Sequence, residues 1–164
     1  MNNDKNIINK HNHIILYTDG SCNTQFKTGA WAAIIFINDQ KNTLQGIEHD
    51  TTHQRMELRS VIESLKWLTL HHADRRDVHL YTDSQYIVDL PSRRTKLVNQ
   101  HFATSKSIPI RNADLVEEFY RVVDSFQLQI KKVKAHQKKS NNQYDGNREV
   151  DQLCRKATRN ALAD

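Results

Sequence analysis

Asp19 and Asp83 stand in two copies of one short pattern, YTDGS and YTDSQ, each directly after a run of apolar, β-prone residues. A carboxylate at the end of an apolar strand leaves the core where the chain turns. In sheets that contain parallel pairs, sites gather at the carboxyl ends of neighbouring strands. Glu57 precedes Leu58 in a stretch whose apolar residues recur every three or four positions, so its side chain can lean toward a sheet rather than into water. Each acid also has a plainer use: an Asp-Gly turn for Asp19, an N-cap for Asp83, a favourable helix dipole for Glu57. The combination shifts the balance, because converging carboxylates raise one another's pKa unless a cation neutralises them. An all-oxygen donor set points to Mg²⁺ or Mn²⁺ rather than zinc.

Such a cluster needs two strands side by side and a helix across them. Ile14 to Thr18 and Gly29 to Ile37 read as strands joined by the polar SCNTQFKT, with a weaker third strand from Thr43 to His49. Leu58, Val61, Ile62, Leu65 and Leu68 predict a helix starting near Gln54, with Thr51 or Thr52 as its N-cap. Asp77 to Thr82 is a short strand, followed by a short helix that Asp83 or Ser84 could cap. Pro91 to Arg111 breaks the periodicity and carries Arg93, Arg94, Lys96, Lys106 and Arg111 without an acid, which predicts an exposed basic loop or short helix. Leu115, Val116, Phe119, Val122, Val123 and Phe126 stripe the next helix, where Asp114 and Glu117 resemble a capping box. The run LQIKKVKA adds a strand, and Val150, Leu153, Cys154, Ala157 and Ala161 mark a terminal helix from about Asn147.

The 164 residues suffice for one domain with its own core, and the net charge of +5 suits a polyanionic partner. Cys22 and Cys154 cannot build a disulfide framework and have no zinc-spaced neighbours, which fits a reducing, cytoplasmic setting. Residues 1–12 are polar and read as a flexible tail rather than a signal peptide, with the domain spanning 13–164. No apolar run is long enough to span a bilayer, so no membrane partner is expected.

YTDGS, TTHQRMEL, YTDSQY and KAHQ…NREVDQL, in this order, resemble type 1 ribonuclease H across nearly the whole chain. The resemblance implies an α/β fold, a five-stranded mixed sheet with three antiparallel strands followed by parallel ones, flanked by helices. It also implies four metal-binding carboxylates, matched by Asp19, Glu57, Asp83 and Asp151. Without the resemblance, Asp151 would rank no higher than Glu149. The implied activity is hydrolysis of the RNA strand of an RNA–DNA hybrid, with two Mg²⁺ ions engaged once substrate is bound and Mn²⁺ as an alternative. His136 matches the family's mobile histidine, whose imidazole can shuttle a proton near neutral pH. Gln54 and Gln85 match amide positions that read 2′-hydroxyls in the minor groove, and Asn147 joins this substrate-binding set. Arg93, Arg94 and Lys96 occupy the place of a basic protrusion that holds DNA phosphates, with Phe102 as its stacking candidate. Arg55 follows a family arginine that could equally be a salt-bridge partner beside the site.

This chain also departs from the family pattern. Gln25 stands where an RNA-contacting asparagine is usual, His53 replaces an asparagine beside Gln54, and the loop between His136 and Asp151 is long. A monomer with no obligate protein partner is expected. Two other readings keep these residues but change what they do. One is an integrase-, transposase- or resolvase-like nuclease acting on duplex DNA, and the other is a silent hybrid-binding module. The complete set of motifs favours the hybrid nuclease over the first, and the four acids argue against the second.

Overall fold

The computed structural model describes residues 13–135 and 144–164. The expected tail, residues 1–12, and His136 lie outside the described residues. The elements in chain order are β1 (Ile14–Asn23), β2 (Thr28–Ile37), β3 (Gln40–His49), α1 (His53–His71), β4 (Asp77–Thr82), α2 (Gln85–Asn99), α3 (Ala113–Val123), β5 (Gln127–Lys132) and α4 (Gly146–Ala163). They build one five-stranded sheet of order β3-β2-β1-β4-β5. The first three strands are antiparallel, and β4 and β5 continue parallel to β1, so the mixed sheet expected from the resemblance is present.

Alternation along β1 and β2 divides the apolar residues between the two faces. Ile14, Leu16, Ala33 and Ile35 join Leu58, Ile62, Leu65, Ile87, Leu90 and Phe119 in one large core beneath α1, α2 and α3. Ala32 and Ile34 face the other way, onto Val150 and Cys154 of α4. No helix among the described residues is long and apolar enough to cross a membrane.

Four expectations are corrected. β1 does not stop at Thr18: its pairing with β2 continues to Asn23↔Thr28, so Asp19 lies inside an antiparallel ladder opposite Ala32. Backbone pairing is indifferent to the polarity that suggested a loop there. The segment from Pro91 is not a break, since α2 runs through Pro91 to Asn99. An interior proline costs about 3 kcal/mol. Burying Ile87, Leu90 and Leu97 on one face gains roughly 1.5 to 3 kcal/mol each, which is enough to hold the helix together. Phe102 is packed against the core rather than presented for stacking. At α3 the N-cap is Asn112, in the left-handed region at φ 60° and with no side-chain cap bond. Asp114 instead accepts two hydrogen bonds from Arg55, at 2.9 and 2.8 Å, tying α3 to α1. Thr52 and Ser84 are the caps of α1 and α2.

Candidate active site

The parallel register of β1 and β4 explains the repeated sequence pattern. Tyr17 pairs with Tyr81, and the two rings stack with centroids 5.1 Å apart. Thr18 and Thr82 are both buried, so each YTD copy sends its threonine into the core and its acid to the opposite face. Asp19 and Asp83 each follow the paired tyrosine by two residues, so the register sets them side by side on the α4 face of the sheet. α4 closes the group from above. Gly146 opens the helix against the ring of Tyr17, where a Cβ would lie 2.5 Å from ring carbons, and the Cys154 thiol donates to the Asp19 carbonyl at 3.1 Å. That docking brings Asp151 to the same place.

Glu57 arrives from the other face of the sheet. A Cβ on Gly20 would lie 2.4 Å from the Glu57 backbone nitrogen, so only glycine lets β1 pass this close to the first turns of α1. Once there, Glu57 accepts a hydrogen bond from the Ser84 hydroxyl at 2.6 Å and lies 3.1 Å from His53 Nε2. Asp19, Gly20, Ser21, Cys22, His53, Asp83, Asp151 and Arg155 line one cleft of about 300 Å³.

The electrostatics of this cleft are those of crowded acids. Asp19 is 7% exposed, and burial, then the neighbouring Asp83 and Asp151 carboxylates, push it up to about 8. The Gly20 N–H, which donates to its Oδ1 at 2.8 Å, and His53 only partly oppose this. His53 is raised, chiefly by its hydrogen bond to Glu57 and also by the charges of Glu57, Asp19 and Asp83, against a lowering by burial. Arg155 donates to Asp151 at 2.9 Å from one turn further along α4. The donors are hard oxygens in a water-accessible pocket, and the proton that Asp19 retains is one that a divalent cation can replace. The set therefore fits Mg²⁺ or Mn²⁺.

The other predicted residues are less uniformly placed. Gln25 is exposed in the turn between β1 and β2. Gln54 accepts from Asn112 at 3.4 Å, and Gln85 is exposed, donating to Asp89 at 2.7 Å while accepting from Lys132. Asn147 is buried, and its Oδ1 has no hydrogen-bond donor among the described residues. Arg93 and Lys96 lie exposed on α2, away from the cleft lining. Arg94 donates two hydrogen bonds to Asp124 and sits over the Tyr120 ring. Sequence reasoning passed over Ser84 as more than a cap, although it adjoins Asp83, and over Arg155, although a basic residue four places after an acid on a helix is a recognisable pair.

The sequence model of the family described as RNase H matches residues 11–159. A ribonuclease H of Wolbachia pipientis wMel is 36% identical over 145 residues, covering 88% of this chain and 94% of that protein. A ribonuclease H of Caldicellulosiruptor saccharolyticus is 34% identical over 125 residues, covering 75% and 83%. Among solved structures, LC9-RNase H1, described as a type 1 RNase H with the type 2 active-site motif, superposes with a TM-score of 0.71 at 26% identity, covering 90% of this chain and 72% of that one.

Proposed function

The chain belongs to the RNase H family, and on that premise we propose that it is an endonuclease that hydrolyses the RNA strand of RNA–DNA hybrids, leaving 5′-phosphate and 3′-hydroxyl ends. The observation that carries the reading is the register of Tyr17 with Tyr81, which juxtaposes Asp19 and Asp83 beneath Asp151. Asp19, Glu57, Asp83 and Asp151 hold divalent ions, Mg²⁺ first and Mn²⁺ as a substitute, two of them when substrate is bound. When bound, these ions supply an activated water and neutralise charge building on the leaving oxygen.

The chain's own groups prepare that arrangement. The Gly20 N–H fixes one oxygen of Asp19, while Ser84 and His53 hold the two oxygens of Glu57. Arg155 orients Asp151 and adds a positive charge at the rim, where a phosphodiester anion must enter. His136 carries the proton-transfer role. Gln25, His53, Gln54, Gln85 and Asn147 read the RNA strand, and Arg93 and Lys96 meet DNA phosphates. Arg94 joins them by exchanging Asp124 for a phosphate. The catalytic unit is residues 13–164, acting as a monomer in the cytoplasm.

An assay of labelled hybrid, duplex DNA and duplex RNA, each with and without chelator, tests this. Cleavage confined largely to the RNA of the hybrid, and abolished by chelator, is the expected result. Comparable cleavage of duplex DNA would move the chain to the integrase-like reading, and no cleavage of any substrate would leave a binding module.

A further inference from the structure

His13, Asp77 and His79 gather at the opposite end of the same strand pair. The pairing of Ile14 with Val78 places His13 directly before β1 beside Asp77, with His79 two residues further along the same face of β4. One ligand atom from each of the three lies within 4.8 Å of the others. The two imidazoles stack, with centroids 3.8 Å apart and planes inclined by 13°. Asp77 Oδ1 is buried, accepts no hydrogen bond from the described residues and sits 3.6 Å from His79 Nε2. A buried carboxylate oxygen left without a donor is costly, and a cation is the partner that satisfies it and two imidazoles together.

We infer that His13, Asp77 and His79 form a second metal site, for a borderline transition-metal dication of the Zn²⁺ type, separate from the carboxylate cleft. Two imidazoles and one carboxylate suit Zn²⁺ or Co²⁺ and are poor for Mg²⁺, the reverse of the oxygen-only cleft. Asp19 lies six positions after His13, about 20 Å along the strand, so neither site draws a ligand from the other. Coordination needs a rotation about the Cβ–Cγ bond of at least one stacked imidazole, a soft torsion in a partly exposed histidine. With Nε2 of His79 on the ion, Nδ1 carries the proton. Lys131 Nζ, now 3.3 Å from Nδ1, then gives up that contact and keeps its place over the Tyr81 ring. The bound ion staples the start of β1 to the start of β4 and stabilises the fold by mass action.

Co²⁺, which takes the same ligands as Zn²⁺ and broadens nearby NMR signals, is the probe. It is titrated into the full ¹⁵N-labelled chain with Mg²⁺ in large excess. The amides of Ile14, Val78 and Leu128 broaden near one equivalent, and thermal unfolding shifts upward. In His79→Gln and Asp77→Asn, both folded by the Co²⁺-free spectrum, that local broadening and the shift disappear, while broadening at Gly20 and Ser84 is unaffected. Ile14, Val78 and Leu128 staying sharp even in excess Co²⁺ would overturn the inference, as would equal broadening of them in both variants.

Discussion

The acidic cleft and helix α2 hold like charges in opposite ways. In the cleft, Asp19 and Glu57 are buried, and desolvation together with the neighbouring Asp83 and Asp151 carboxylates pushes Asp19 up to about 8. On α2, Arg93 and Lys96 stand in solvent, and Arg94 is answered by Asp124. Crowding acids behind a backbone ladder opposes folding, whereas spreading bases over a helix surface does not. Acids crowded together against their own electrostatic penalty mark chemistry, whereas bases spread over a helix at little penalty mark an adaptable surface that suits phosphates. The contrast tells how far each region can be changed before function is lost.

The largest break is expected from Asp19→Asn, which should lower kcat on hybrid by on the order of 10³-fold or more, the scale of losing a strong electrostatic contact to the transition state. The same variant probes the crowding of the acids. A carboxyl raised from 3.8 to about 8 binds more protons folded than unfolded between those values, so the metal-free chain should lose stability as pH rises through that window. Urea unfolding in chelator, measured below and above the window, should show this fall in wild type and a flatter response in Asp19→Asn. Added Mg²⁺ should restore the wild type at the alkaline side.

Ser84→Ala removes the 2.6 Å hydrogen bond to Glu57, so kcat should drop about 10- to 100-fold, the usual range for a group that orients a metal ligand. It also removes the α2 cap, a loss of about 1 kcal/mol in chemical denaturation. Ser84→Thr, which keeps the hydroxyl, should rescue most of both. On the basic side, Arg93→Glu with Arg94→Glu should raise KM and reduce the salt slope by roughly one to two while kcat changes little. An unchanged KM and slope would return α2 to a solvated surface.

The smallest effect concerns Asp114, held at about 2 mainly by its hydrogen bonds from Arg55. Its contribution to stability is present above the unfolded value near 3.8 and is lost as pH falls through about 2. The pair is exposed on the aspartate side, so Asp114→Ala should cost less than about 1 kcal/mol at neutral pH and nothing at the acid end. Acid titration of unfolding free energy measures it.

The elements were legible in the sequence wherever apolar spacing controls them, as in α1 and α3, and the YTD repeat located two of the acids. The sequence did not reveal why the repeat exists, because its cause is a register between strands far apart in the chain. It also under-read β1 and α2, since polarity cannot see a backbone ladder and a proline does not announce the buried leucines around it. Spacing alone does not separate Asp151 from Glu149 in NREVD; the resemblance names Asp151, and the docking of α4 shows why. Helical rotation turns Glu149 to Lys41 and the Tyr144 hydroxyl, while Asp151 faces the cleft. Asp114 looked like a cap because its partner, Arg55, is on another helix.

The claim that most needs testing is that the four carboxylates act as one divalent-metal site. Calorimetric titration of Mn²⁺ into the chain bound to a non-cleavable hybrid measures this directly, with Asp19→Asn and Asp151→Asn as partners to the wild type. Saturable binding by the wild type, with proton release and strong weakening in both variants, is the predicted result. Equal binding isotherms in all three proteins would contradict it.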